Sequence, residues 1–193
     1  MADQHIRVLR CFVALEVPAD IQEILGRASA RLAGSGADVG WVKPENIHLT
    51  LKFLGEIPQG RALQVGMAVS RLKGRIGPVP AALGGLGAFP VLHKPRVVWA
   101  GLSQGTEECG RVFAAVEGEL ADMGFQREER EFSPHLTLGR VRSDRNVGEL
   151  VKLIGETGLE PVEFSLKALT LMKSSLTPQG SVYEPMNTAY LAG

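Results

Sequence analysis

The sequence contains little cysteine, with only two in 193 residues. Cys11 lies in an apolar run and Cys109 in a segment predicted to be helical, and their spacing matches neither a disulfide framework nor a Cys-x-x-Cys metal or redox motif. We therefore expect two buried thiols in a reducing compartment. Zinc-ribbon, thioredoxin-like and disulfide-scaffold proteins are excluded as classes.

A net charge is also absent, because 21 Lys and Arg balance 21 Asp and Glu. This balance argues against a protein that coats nucleic acid or membrane through bulk charge, although a local basic pocket remains possible. No window approaches the roughly 20 apolar residues that cross a bilayer. The apolar stretch near the N-terminus ends at Glu16 and Pro18 with no small-residue cleavage site after it. We expect a cytoplasmic protein without a membrane partner.

The remaining composition is that of a folded protein. Hydrophobic residues make up 45% and charged residues 22% of the chain, and the length is enough for one domain or for two small lobes. Hydrophobic periodicity, with Gly and Pro as breaks, predicts helices over 21–32, 62–72, 106–123 and 147–155. It predicts strands over 8–17, 39–42, 47–54, 80–88, 96–102, 134–141, 163–173 and 182–191, with a loop over 89–95. This order indicates an α+β fold with mixed or antiparallel sheets.

One repeat carries the chemical information. The tetrapeptide His-Leu-Thr-Leu occurs at 48–51 and again at 135–138. On a strand, alternate side chains share a face, so each His and its Thr project together while the leucines enter the core. Two imidazoles that titrate near neutrality can serve as general base and general acid in a displacement at phosphorus, and each Thr hydroxyl can donate to a phosphate oxygen.

Other uses of these residues are less well supported. No Asp, Glu or Cys stands beside the histidines to complete a metal shell, and Ser133 and Cys11 lack an activated-nucleophile motif. The charge that develops on phosphorus needs a cation. If the strand stays regular, alternation places Arg140 and Arg142 on the face opposite to that of His135. Alternation cannot place Arg130, which precedes the break at Pro134. Alternation also predicts that Lys52 shares the face of His48 and Thr50. We expect four aromatic residues in the core, namely Trp41, Phe53, Trp99 and Phe132. One of them, at the rim of a substrate groove, would be a candidate platform on which a terminal base could stack.

Two blocks of the sequence resemble the RNA 2′,3′-cyclic phosphodiesterases, also called 2′-5′ RNA ligases, of the two-histidine phosphoesterase superfamily. They are Trp41-Val-Lys-Pro-Glu-Asn-Ile-His-Leu-Thr-Leu-Lys-Phe-Leu-Gly55 and Arg130-Glu-Phe-Ser-Pro-His-Leu-Thr-Leu-Gly-Arg140. The resemblance extends over essentially the whole chain. It implies a bilobal α+β fold in which two pseudo-symmetric lobes, with mixed or antiparallel sheets flanked by helices, surround a central groove. Residues 1–193 would form a single two-lobed catalytic domain with one motif from each lobe.

The resemblance also implies a function. It is hydrolysis of an RNA 2′,3′-cyclic phosphate end to a 2′-phosphomonoester without a metal or other cofactor, with reverse 2′-5′ ligation by the same groups. His48 would be the proton donor and His135 the proton acceptor, while Thr50, Thr137 and Arg130 would bind the phosphate. We expect a monomer that needs no protein partner. The alternatives are a related enzyme for a small cyclic nucleotide and a non-catalytic module that binds RNA ends.

Overall fold

A computed structural model describes residues 7–178 and 180–192. Its α-helices are α1 (Ala19–Ala33), α2 (Gln59–Arg71), α3 (Thr106–Asp122) and α4 (Val147–Glu156). Its strands are β1 (Val8–Glu16), β2 (Val39–Trp41), β3 (His48–Pro58), β4 (Val79–Val91), β5 (Lys94–Gln104), β6 (Leu136–Val141), β7 (Glu163–Leu166), β8 (Ala168–Thr177) and β9 (Gly180–Tyr190). None of the helices in the described residues is long and apolar enough to cross a membrane.

The strands form two lobes within one curled sheet. The strand order is β7-β4-β5-β6-β3-β1-β8-β9, and β2 pairs with the free part of β6. We call β3, β1, β8 and β9 the first lobe, and β6, β5, β4 and β7 with β2 the second lobe. Neighbouring strands in each lobe run antiparallel. The expected α+β fold with two lobes is confirmed, and its sheet is antiparallel rather than mixed.

Alternation along the strands gives the sheet two different faces. In β1, Leu9, Cys11, Val13 and Leu15 belong to the hydrophobic core, and apolar residues of all four helices join the same core cluster. We call this side the helix face. The intervening residues point to the opposite side, which we call the groove face, because strand side chains alternate with a period of two. The groove face is therefore the side on which the polar positions of the repeat are available.

Three differences from the predicted elements change the course of the sheet. The segment 89–95 is a tight hairpin rather than a loop, because β4 continues to Val91 and β5 begins at Lys94. The strand predicted over 163–173 is broken at Lys167, and its parts pair in different lobes, β7 with β4 and β8 with β1. β3 runs past Leu54 because Gly55, at φ +68°, is accommodated opposite Cys11 and the buried Ile57 then pairs with Leu9.

Candidate active site

The two copies of the repeat meet where the lobes join. Leu49 of β3 pairs with Leu136 of β6 in antiparallel register, and both leucines are fully buried. Antiparallel pairing about this point relates one His-Leu-Thr segment to the other by a local twofold rotation. It directs His48 towards Thr137 and Thr50 towards His135 on the groove face. The four side chains singled out in the sequence therefore lie where the two lobes join.

Each repeat is followed by the same irregularity. Ala14 lies opposite Thr50 but Val13 lies opposite Lys52, so Leu51 is an extra residue in β3. In the second lobe Trp99 lies opposite Thr137 but Val98 lies opposite Gly139, so Leu138 is the extra residue in β6. A β-bulge of this kind exchanges the faces of the residues that follow it, up to the next irregularity, which in β3 falls at Leu54.

The first bulge moves Lys52 to the helix face, and the prediction that it shares a face with His48 is wrong. Lys52 is 9% exposed, and its Nζ lies 2.7 Å from Oε1 of Glu117 on α3. Phe53 takes the groove face instead and is 63% exposed, which contradicts its expected place in the core. Its ring centroid lies 6.1 Å from that of Phe12 on the neighbouring strand.

The second bulge has the corresponding effect on the arginines. Gly139 lies opposite the buried Val98 and so occupies the helix face, where an added Cβ would lie 2.6 Å from Val39 Cγ1. Arg140 lies opposite Val97 and therefore shares the groove face with Thr137. Arg142 follows directly after β6. A Cβ added to Gly40, the partner of Arg140, would lie 2.8 Å from Nη2 of Arg142, so this guanidinium is on the groove face as well. The prediction that these two arginines lie on the face away from His135 is wrong, because it assumed an unbroken alternation along the strand.

Both histidine rings are held in the same tautomer. Nδ1 of His48 lies 2.7 Å from the carbonyl oxygen of Asn46, and Nδ1 of His135 lies 2.8 Å from that of Ser133. A carbonyl only accepts hydrogen bonds, so Nδ1–H must be the donor in each case. This arrangement leaves each Nε2 available for proton transfer to or from a bound molecule.

The surroundings of the two rings differ. The ring of His48 stacks on Phe12 at 4.7 Å between centroids, and Tyr183 contacts it edge-on at 5.2 Å. The ring of Phe89 contacts His135 edge-on at 5.0 Å between centroids. Burial among these rings lowers the pKa of His48 from its ordinary value, and the hydrogen bond to Asn46 opposes part of that effect. His48 therefore releases its proton more readily than an exposed histidine does.

Arg130 stands five residues before His135, in the segment between α3 and β6 that has no regular secondary structure. The residue is exposed, and its backbone N–H donates to Oε1 of Glu128 at 3.3 Å. Within residues 7–178 and 180–192, its guanidinium takes part in no ion pair. It is thus an uncommitted cation on the segment that leads to His135.

Sequence reasoning missed the aromatic residues around the histidines. Phe12 lies in a predicted strand and Phe89 in the predicted loop over 89–95, and neither pattern indicates which aromatic ring will contact an imidazole. Tyr183 comes from β9, 135 residues after His48, and reaches it through the β1 and β8 pairings. Alternation from Val13 does place Phe12 on the groove face and is the one signal available for these contacts.

Within the described ranges, His, Cys, Asp and Glu side chains form no group of three or more that could hold a metal ion. The groups that the site presents are two imidazoles of fixed tautomer, two threonine hydroxyls and nearby arginines. Such a set can transfer protons at two points and bind an anion between them. The fold thus brings together two histidines, one from each lobe, in a site whose groups are suited to acid–base chemistry on an anion.

Comparison with known proteins agrees with this description. The LigT-like phosphoesterase profile matches residues 15–99 and again 101–183, once in each half of the chain. The RNA 2′,3′-cyclic phosphodiesterase of Aeropyrum pernix is 38% identical over 163 residues, which are 84% of this chain and 92% of that protein. The enzyme of the same name from Methanothermobacter thermautotrophicus is 34% identical over 92% of this chain and 96% of its own length.

Solved structures give the same result for the fold. A protein from Thermus thermophilus superposes with a TM-score of 0.78 at 26% identity, over 96% of this chain and 99% of that one. LigT from E. coli, crystallised with 3′-AMP, superposes with a TM-score of 0.77 at 24% identity, over 97% and 100% of the two chains. The chain belongs to the LigT-like phosphoesterase family.

Proposed function

We propose that this protein hydrolyses the 2′,3′-cyclic phosphate at the end of an RNA to a 2′-phosphomonoester. The observation that carries the proposal is the antiparallel meeting of the two repeats at Leu49 and Leu136, with both histidines bonded to the backbone through Nδ1. This leaves two Nε2 atoms for one substrate phosphorus. Curated relatives that align over most of the chain carry the name RNA 2′,3′-cyclic phosphodiesterase.

In the mechanism we propose, each histidine handles one proton. Nε2 of His135 accepts a proton from water as the water oxygen attacks phosphorus. The bond between phosphorus and the 3′-oxygen breaks, and His48 donates its Nε2 proton to that oxygen. The 2′-ester remains, so the product is a 2′-phosphate, and a subsequent proton transfer through solvent restores both rings. Positioned acid–base groups of this kind are worth about 10² to 10⁴-fold in rate.

The low pKa of His48 suits the role of donor. A group with a lowered pKa loses its proton readily to a leaving alkoxide, at the cost of carrying that proton over a narrower range of pH. The hydroxyls of Thr50 and Thr137 would donate to the non-bridging phosphate oxygens, and Arg130 would stabilise the charge that develops there. By microscopic reversibility, the same groups would join RNA ends through a 2′-5′ linkage when ends are concentrated.

The groove face also offers contacts for the rest of the RNA. Phe53 presents an exposed ring beside the Phe12 and His48 stack, and base–aromatic stacking is worth about 1–3 kcal/mol per base. Arg140 presents a cation on the same face as Thr137. We propose that Phe53 stacks with the base of the terminal nucleotide and that Arg140 pairs with a neighbouring phosphate.

We further propose that residues 1–193 act as one catalytic domain, because each lobe supplies one histidine and one threonine. The domain would work as a monomer in the cytoplasm without a cofactor. The two cysteines support a reducing location, since both are buried, unpaired thiols.

The test is turnover of a labelled RNA with a 2′,3′-cyclic phosphate, compared with a 2′,3′-cyclic mononucleotide, in the presence and absence of EDTA. We expect hydrolysis of the RNA, resistance to EDTA, and a lower kcat/KM for the mononucleotide. Equal or better turnover of the mononucleotide would indicate a small cyclic nucleotide as the substrate. Tight RNA binding without turnover would indicate a non-catalytic module, and either result would overturn the proposal.

A further inference from the structure

Lys52 and Glu117 form an ion pair inside the protein, away from the groove. Their side chains are 10% and 5% exposed, and Nζ lies 2.7 Å from Oε1. Removing two charges from water is costly unless both are compensated, so a pair at this depth requires an explanation beyond stability. Neither residue touches the groove face, because the bulge at Leu51 turns Lys52 towards α3.

Both charged groups also form hydrogen bonds with the backbone of one segment. Nζ of Lys52 donates to the carbonyl oxygen of Gln126 at 2.6 Å. Oε2 of Glu117 accepts the backbone N–H of Glu128 at 2.9 Å. The two charged groups therefore hold residues 126 and 128, which belong to the irregular segment between α3 and β6. Arg130 follows two residues later.

A second anchor holds the same segment on the other side of Arg130. The ring of Phe132 stacks on that of Phe113 of α3, with centroids 4.3 Å apart and planes 5° apart. Arg130 is therefore carried on a short span fixed to α3 at both ends, and one of these anchors is built from the strand that bears His48. This arrangement connects the repeat of the first lobe to the cation of the second.

We infer that Lys52 and Glu117 are positioning residues that fix the segment 126–132, and so place the Arg130 guanidinium against the substrate phosphate. The inference rests on the role proposed above for Arg130. The equivalent position after the second bulge is Gly139, which has no side chain, so the device exists in the first lobe alone. This difference between the lobes matches the presence of Arg130 before the second repeat only.

The experiment removes the pair without leaving a buried charge. The double variant K52M/E117L replaces both charges with apolar side chains, a change that buried ion pairs often tolerate in stability. The single variant E117Q keeps an acceptor for Glu128 N–H but leaves the buried Lys52 ammonium without its counter-charge, so it is compared at matched melting temperature. As a control, I154A opens a cavity in α4, which packs on β4 and β5, and it is used at matched melting temperature.

We expect K52M/E117L to lower kcat and kcat/KM for the cyclic-phosphate RNA together, by about 10- to 100-fold, since a misplacement of about 1 Å costs rates of that order. E117Q should lose less, and I154A should stay within about twofold of the wild type. In an R130A background the double variant should lose less than about twofold more, because groups that act through one residue are not additive.

An equal loss in the wild-type and R130A backgrounds, or no loss at all, would overturn the inference. Hydrogen exchange separates it from the proposed function, because it requires no turnover. K52M/E117L should speed exchange in residues 124–134, and I154A should not. If the wild-type protein fails to cleave the RNA, the proposed function falls, and unchanged exchange in K52M/E117L would overturn the anchoring as well.

Discussion

The stacking of His48 on Phe12 gives a sharp test of which histidine is the acid. Phe12 is 3% exposed and its ring lies 4.7 Å from that of His48, so it contributes to the burial that lowers the pKa of His48. The substitution F12L opens space beside the imidazole and admits water. The leucine keeps most of the apolar volume, so we expect a stability loss of about 1–3 kcal/mol, below the roughly 3–5 kcal/mol of a Phe→Ala change.

With solvent beside it, the charged form of His48 is less penalised and its pKa rises towards the ordinary value of about 6.5. If His48 donates the proton, a higher pKa keeps more of it protonated, so F12L raises kcat/KM on the high-pH side of the profile and leaves the low-pH side unchanged. On the high-pH side each unit of restored pKa raises kcat/KM by about tenfold.

The assay is kcat/KM between pH 4.5 and 8.5, together with an NMR titration of the His48 ring. F89L is the matched control, because it makes the same change beside His135 and should leave kcat/KM on the high-pH side unchanged. If F12L raised the pKa of His48 but lowered kcat/KM on the low-pH side instead, His48 would be the base. If kcat/KM on neither side followed the measured pKa of His48, the proposed division of roles would be refuted.

Three other substitutions or reagents test separate parts of the account. R140A should raise the KM for an oligonucleotide and reduce the salt dependence of that KM, while the KM for a mononucleotide stays unchanged. The control R111A, on the exposed side of α3, should change neither KM. Equal effects of R140A on both substrates would contradict the placement of Arg140. G139A should lower the melting temperature by several degrees, because its Cβ would lie 2.6 Å from Val39 Cγ1, and an unchanged melting curve would refute the bulge geometry. Burial and then Glu108 raise the pKa of the Cys109 thiol to about 11, so iodoacetamide at pH 8 should label it only after unfolding.

The duplicated His-Leu-Thr-Leu sequence predicted the centre of the site because its information is local. A period of two fixes which side chains share a face, and the leucines at alternate positions identify the buried side. Two such strands with matching patterns require a common environment, and the pairing of Leu49 with Leu136 provides it. The helices were equally predictable, since α3 was expected over 106–123 and is observed over Thr106–Asp122.

The residues after each Thr could not be placed in this way. A β-bulge leaves the composition of a strand unchanged, and Leu51 and Leu138 resemble any other buried leucine. Their effect is to exchange faces, so that Lys52 enters the interior and Arg140 reaches the groove. The partner that makes a buried Lys52 possible is Glu117, 65 positions later on a helix, and only the tertiary structure reveals it.

The product of a defined RNA substrate provides the most direct test of the central claim. An oligonucleotide ending in a 2′,3′-cyclic phosphate is incubated with the wild-type protein, H48A and H135A, and the position of the product phosphate is determined by ³¹P NMR. We predict a 2′-phosphate alone from the wild-type protein, and a loss of about 10²-fold or more in rate from each histidine variant. A 3′-phosphate product, an uncleaved RNA, or full activity in either variant would contradict the account.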